Sequence, residues 1–225
     1  LDVGVLHLLI FVHGMERLVA ADAGLLEAAE RVADIAAPDI VDDDGSRLEP
    51  PGHPVDARLG WCDRGLLVTV SLTGKTVPCR GDVANPWLSD GVTLWLATRP
   101  LAGSKRANAF CHLFHLLPVG GGEERLDPVH IQSPVPRALE DAPKAPTGSV
   151  LFRSRMTTGG FEMGALFTSA ALHGYDPEEN SRLAFLLRVH DLERGAWMSG
   201  ADEELPYAED PQWWDFIDLV RKAPK

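Results

Sequence analysis

Pro86-Trp87-Leu88-Ser89-Asp90-Gly91-Val92-Thr93-Leu94-Trp95-Leu96-Ala97-Thr98-Arg99-Pro100 is the stretch whose reading decides the fold. A polar turn leads to an Asp-Gly corner. A run rich in β-branched and aromatic side chains follows, and Arg99-Pro100 stops it. That pattern predicts a strand with both ends marked. Successive side chains on a strand point to opposite faces. Val92, Leu94 and Leu96 therefore share one face, and Thr93, Trp95 and Ala97 the other. Both faces are largely apolar, which predicts a central strand with protein on both sides.

Similar short runs extend outward from this stretch. Ala57 to Cys62, Leu66 to Leu72, Ala109 to Leu117 and Leu126 to Gln132 read as strands. So do Val150 to Thr157, Phe161 to Phe167, Leu183 to His190 and Trp213 to Val220. Thr158-Gly159-Gly160 marks a hairpin between two of them. Thr168 to Leu172 reads as one helical turn, and Asp191 to Asp210 as an acidic loop. Short strands separated by turn residues, with no βαβ alternation, predict an all-β chain: an antiparallel β-sandwich of immunoglobulin-like or jelly-roll-like architecture.

The first fifty residues read differently. Residues 1–20 are apolar without a clear period. Val3 to Val12 has the look of a signal core but lacks a basic lead and is too short to span a bilayer. Ala21 to Ala37 has a roughly helical period, with Asp22 as N-cap and Pro38 as stop. Asp39 to Pro54 is acidic and Pro-rich. These features divide the chain into a lead, helix and connector over 1–54 and a sandwich over 55–225.

The 225-residue chain is long enough to fill a core, and its net charge is −12. Nucleic-acid binding needs clustered Lys and Arg, so that class is disfavoured. No membrane-inserting segment is expected. The three cysteines, Cys62, Cys79 and Cys111, show no C-x-x-C spacing. Compartment and oligomeric state stay open.

Catalytic motifs are missing: there is no H-E-x-x-H, no G-x-S-x-G and no phosphate-binding P-loop. His112 and His115 resemble a metal pair, but three residues along a strand puts them on opposite faces. Consecutive Asp42-Asp43-Asp44-Gly45 lacks the alternation of a calcium loop. No catalytic residue and no metal ligand is expected.

Aromatic residues say more. The chain has six Trp against two Tyr. Trp61, Trp95, Trp213 and Trp214 fit core roles on strands. Trp87 and Trp197 fall in loops among small and polar residues. Two exposed indoles would grip the apolar faces of a sugar ring, with nearby polar groups bonding its hydroxyls.

Trp87 to Leu96 resembles the W-x-x-D-x-V-E-[IL] strand of family 9 carbohydrate-binding modules, within the broader DOMON-like sandwiches. Leu172-His173-Gly174-Tyr175-Asp176-Pro177, followed by Arg182 to Asp191, resembles that family's later "L, D-P, then G-F-x-x-x-V-x-D" run. Gly160 to Ala165 is similar to the strand before it, with its acid displaced. The resemblance spans about residues 55–220 and implies an antiparallel sandwich that binds sugars between two Trp. Trp87 matches the first by motif; Trp197 matches the second only by its place in the following loop. The acid after D-x-V is Thr93 here. His112 or His115 stands where the family often has Arg. Arg99, Arg188 and Asp191 are further candidates for polar contacts. Family members hold structural calcium, but no matching ligand set is visible. Related domains bind haem b through Met with His or Lys; Met156, Met163, Met198, His112, His115 and His173 supply those atom types.

The expectation is a non-catalytic module with no required cofactor that binds a carbohydrate or another small polar ligand. Two alternatives are a haem-carrying electron-transfer domain and a protein-interaction module without a small ligand.

Overall fold

The computed structural model describes residues 9–11, 54–199, 201 and 203–219. Its strands are β1 (Leu9–Phe11), β2 (Val55–Cys62), β3 (Gly65–Leu72), β4 (Gly91–Ala97), β5 (Cys111–Gly121) and β6 (Asp127–Ser133). They continue with β7 (Val150–Thr157), β8 (Gly160–Thr168), β9 (Arg182–Asp191), β10 (Gly195–Met198) and β11 (Asp215–Asp218). One sheet runs β1-β2-β3-β8-β7. The other runs β10-β9-β4-β5-β6, with β11 also on β9. Every pairing is antiparallel except β1 on β2.

The alternation read in β4 sets the layers. Val92, Leu94 and Leu96 enter the main core with Leu66, Val68, Val70, Phe114, Phe161, Phe167, Phe185 and Leu187. This core lies between the two sheets. Trp95 and Ala97 point the other way, into a second cluster with Leu113, Leu186 and Trp214. All of β4 is buried, as a strand covered on both sides must be. Burying one such Phe or Leu contributes about 1.5–3 kcal/mol.

Gly91 opens β4 at φ +142, and a Cβ there would sit 2.3 Å from the Leu116 carbonyl oxygen. Only glycine lets β4 start this close to β5. The preceding acid has a different task. Lys75 Nζ donates to Asp90 Oδ1 at 2.9 Å and to Asp191 Oδ1 at 2.7 Å, with all three side chains at most 1% exposed. Lys75 follows β3 of one sheet; Asp90 and Asp191 border β4 and β9 of the other. Arg194 Nε donates to Asp191 Oδ2 at 2.6 Å, and its Nη2 donates to the Thr73 carbonyl at 2.6 Å. The two sheets are thus bolted together at one end by buried ions.

The other end is tied by Tyr175, whose hydroxyl lies 2.8 Å from the Cys62 carbonyl and 3.1 Å from that of Gly65. Thr98 donates to the His173 carbonyl at 2.6 Å. The Leu172 to Pro177 stretch therefore closes the sandwich.

Some expectations need correction. Trp197 lies on β10, not in a loop, because Gly195 to Met198 pairs with Arg188 to Asp191. Trp213 ends a short 3-10 turn, Pro211–Trp213, so the last strand starts later, at Asp215. The turn after β8 forms consecutive i to i+3 bonds, Ala171 to Thr168 and Leu172 to Ser169, without becoming a helix. The helix read over Ala21 to Ala37 lies outside the described residues. The three cysteines are free thiols. Among the described residues no helix is long and apolar enough to cross a membrane.

Burial works against the charge of the Asp191 carboxyl, but hydrogen bonds from Lys75 and Arg194 outweigh it and hold the group below its usual 3.8. For Lys75, burial pulls down, while bonds to Asp191 and Asp90 win and raise it above 10.5. The clamp's stabilisation is therefore full between about pH 3.8 and 10.5, and it is lost as pH falls below 3.8 toward the lower folded value of Asp191 or rises above 10.5 toward the higher folded value of Lys75. Breaking one side of a buried ion pair typically costs about 3–5 kcal/mol. Lys75→Ala should lower unfolding free energy by that order in urea melts at pH 7. A loss under about 1 kcal/mol, the range of an exposed pair, would show that the clamp is not a dry one.

Candidate outer-face site

The outer face of the second sheet carries a polar row beside its apolar cluster. Thr93 on β4 is the register partner of His115 on β5 and of Arg188 on β9. Neighbouring strands lie about 4.8 Å apart, so the row spans about 10 Å. Thr93 and His115 are at most 1% exposed. Thr93 Oγ1 lies 3.0 Å from His115 Nδ1 and 2.9 Å from His190 Nε2. Arg188 Nη1 reaches His190 Nδ1 at 3.4 Å, and Nη2 donates to Glu203 Oε1 at 2.9 Å.

Aromatic rings border this row. Trp87 sits in a single 3-10 turn, Pro86–Leu88, just before β4. Its position is built by Asp82, whose carboxylate accepts from Ala84 N and Asn85 Nδ2, and by Ser89 Oγ, which accepts from Asp82 N at 2.8 Å. The Trp87 ring stands edge-on to His115 at 4.7 Å and tilted to Trp95 at 5.6 Å, and it remains 37% exposed. Tyr207 packs on Trp95 from the 203–210 segment at 5.5 Å. Two buried indoles pin that segment: Trp95 Nε1 donates to the Ala208 carbonyl and Trp214 Nε1 to the Tyr207 carbonyl.

Burial keeps the imidazoles neutral. It pulls His115 down to about 4. It pulls His190 to about 3, with the Arg188 charge and His115 adding to the effect. Burial also raises the Tyr207 phenol above its ordinary value.

Trp87, His115 and Arg188, all singled out in the sequence, meet at this row. The others are elsewhere. Trp197 is the register partner of Val189, a core residue, and packs against the inter-sheet core with the Arg194 guanidinium 5.3 Å from its ring. It therefore lies on the opposite face of the sheet from Trp87. His112 pairs in register with Leu96 and also faces inward, donating from Nε2 to the His173 carbonyl at 3.4 Å. Burial takes it down to about 4. Arg99 donates to the Gly174 carbonyl at 3.2 Å and lies over Phe110. Asp191 belongs to the Lys75 clamp.

His190, Tyr207 and Glu203 join the row without having been singled out. His190 could have been found by carrying the β4 face assignment across to β9. The other two come from a loop with no period to follow. Among the described residues no group of three or more His, Cys, Asp or Glu could hold a metal ion. The methionines of the haem alternative are spread over β7, β8 and β10. A cavity of about 120 Å³ opens at the other end of the outer face, by Ala97, Cys111 and Ala184. It is well below the ~300 Å³ at which ligand pockets usually begin.

No protein-family model matches the sequence, and no curated protein matches it. Solved structures do match in fold. A family 9 carbohydrate-binding module from Caldicellulosiruptor kristjanssonii in complex with cellotriose superposes with TM-score 0.59 at 12% identity, covering 96% of this chain and 95% of that one. A family 9 module from the same organism in complex with glucose gives TM-score 0.57 at 11% identity, covering 84% and 92%. The fold is that of a family 9 carbohydrate-binding module.

His112, His115 and His190 stay neutral in the fold to about pH 4, 4 and 3, whereas their unfolded forms take up protons near 6.5. Stability is therefore greatest above about pH 6.5 and falls as pH drops toward 4. Each imidazole adds up to about 1.4 kcal/mol per pH unit to the slope near pH 5. Urea melts at pH 7, 6 and 5 will show this decline. Equal stability at all three would mean that these rings are not buried and neutral.

Proposed function

We propose that the chain is a non-catalytic carbohydrate-binding module that takes its ligand on the outer face of the second sheet. The observation that carries this reading is Trp87, a partly exposed indole standing over a buried row of hydrogen-bonding groups. An aromatic ring beside fixed polar groups suits a sugar, whose ring has apolar faces and a polar rim. Trp87 stacks on the apolar face. His115 and Arg188 bond the rim, and Tyr207 flanks the site as a second ring. The fold agrees, since two structures that share it hold cellotriose and glucose.

This site departs from the two-Trp arrangement that the sequence suggests. Trp197, on the far face of β10, has a packing role. Arg99, His112 and Asp191 hold the framework. Binding without catalysis also fits the chemistry. Glycoside hydrolysis usually needs two carboxyl groups flanking the bond. The row contributes one, Glu203, and Arg188 holds it.

Trp87→Ala removes the stacking surface together with the ring contacts to Trp95 and His115; the side chain itself belongs to neither core cluster. Removing a central aromatic contact typically costs about 2 kcal/mol or more, which is about 30-fold in affinity. Tryptophan fluorescence during saccharide titration should show saturable binding that weakens by that factor in Trp87→Ala. Trp197→Ala should lower thermal stability and leave affinity within about threefold. The reverse result would move the site to the inner edge of β10.

A further inference from the structure

We infer that this row selects a sugar bearing a carboxylate, a uronic acid residue, through two N–H donors left unmatched by the fold: His115 Nε2 and Arg188 Nε. The inference rests on the carbohydrate reading above and names its ligand class. Both atoms are buried and have no hydrogen-bond partner among the described residues.

The direction of each bond follows from one fixed end. A guanidinium only donates. His190 Nδ1 faces Arg188 Nη1 at 3.4 Å, so Nδ1 carries no proton. Neutral His190 must then carry its proton on Nε2, which donates to Thr93 Oγ1 at 2.9 Å. The Thr93 hydroxyl has a single proton. With His190 donating to its oxygen, that proton goes to His115 Nδ1 at 3.0 Å. His115 Nδ1 is thereby the acceptor, and the ring's own proton sits on Nε2. The free corner of His115 is an N–H donor. Arg188 fixes this polarity from across two strands.

The two unmatched buried atoms of the row are therefore both donors. The row's carboxylate, Glu203, pairs with Arg188 through Oε1 at the exposed rim. A hydroxyl can accept from these donors but brings a proton that neither of them can take. A carboxylate at neutral pH only accepts, and its bonds to charged donors are the stronger kind. Trp87, a partly exposed side chain on a short turn, packs against His115 at the mouth of the row.

The net charge of −12 opposes an anion at long range. Salt screens that repulsion beyond about 8 Å at 0.15 M, whereas direct contacts inside a half-buried site are screened far less. Short acidic saccharides are favoured over long polyanions on this ground.

The test is calorimetric titration of the full chain at pH 7 and 0.15 M NaCl with glucose, glucuronate and glucuronate methyl ester. These differ only at the sixth carbon. The expected result is glucuronate at least tenfold tighter than both neutral sugars, with the preference falling to about twofold in Arg188→Gln. Glucose or the ester binding as well as glucuronate overturns the acidic-sugar inference and leaves the carbohydrate reading standing. If neither these nor cello-oligosaccharides bind the folded protein, both readings fall. Independently of any ligand or variant, imidazole ¹⁵N spectra of the wild-type chain at pH 7 should show His115 and His190 both protonated on Nε2. A proton on His115 Nδ1 overturns the inference.

Discussion

A lysine ammonium seated between two buried carboxylates is the contact on which the rest depends. Lys75 bridges Asp90 and Asp191 at 2.9 and 2.7 Å. Taking three charges out of water is costly, and the arrangement stands only because nearly every lone pair is used. Asp90 also accepts from Arg80 N and Leu192 N, and Asp191 from Glu193 N and Arg194. The effect reaches beyond joining the sheets. The 76–89 segment that presents Trp87 begins next to Lys75 and ends on Asp90. Glu193 holds its start, accepting from Thr76 N at 2.9 Å. The stacking residue hangs from the clamp.

Most of the architecture was legible because it rests on local alternation. The period of Val92 to Ala97 gave both faces of β4 before any neighbour was known. His112 and His115 separated onto opposite faces for the same reason. The site was less legible, because its contacts are long-range. Thr93 and His190 are 97 residues apart, and no spacing rule links them. Trp197 was misread because Gly195 and a run of acids look like a loop, while β10 is made only by pairing with β9. Asp191 fits a family-like motif, and that motif proves to be framework. So does the Tyr175 stretch. The residues that resemble a family most clearly are those that close the sandwich, and they are silent about the ligand.

This separation has a physical basis. The inner face must be apolar and tightly packed, so its sequence is constrained and readable. The outer face is divided. Its middle is covered by Trp95, Trp214 and the segment they pin. Toward Thr93 it holds a buried polar row that the sheet could do without. Polar groups placed there raise the cost of desolvation, and the Thr93–His190–Arg188 bonds offset only part of it.

The margins of the sheets carry one more consequence. An open strand edge invites a second chain to add to it. Here the outer side of β9 is shared between two four-residue strands, β10 on one half and β11 on the other. At the far side β6 carries Pro128, which has no N–H to offer. In the other sheet β7 bears Arg153 and Arg155. Each of these borders is short, interrupted or charged. At these three borders the sandwich thus offers poor templates for fibre growth.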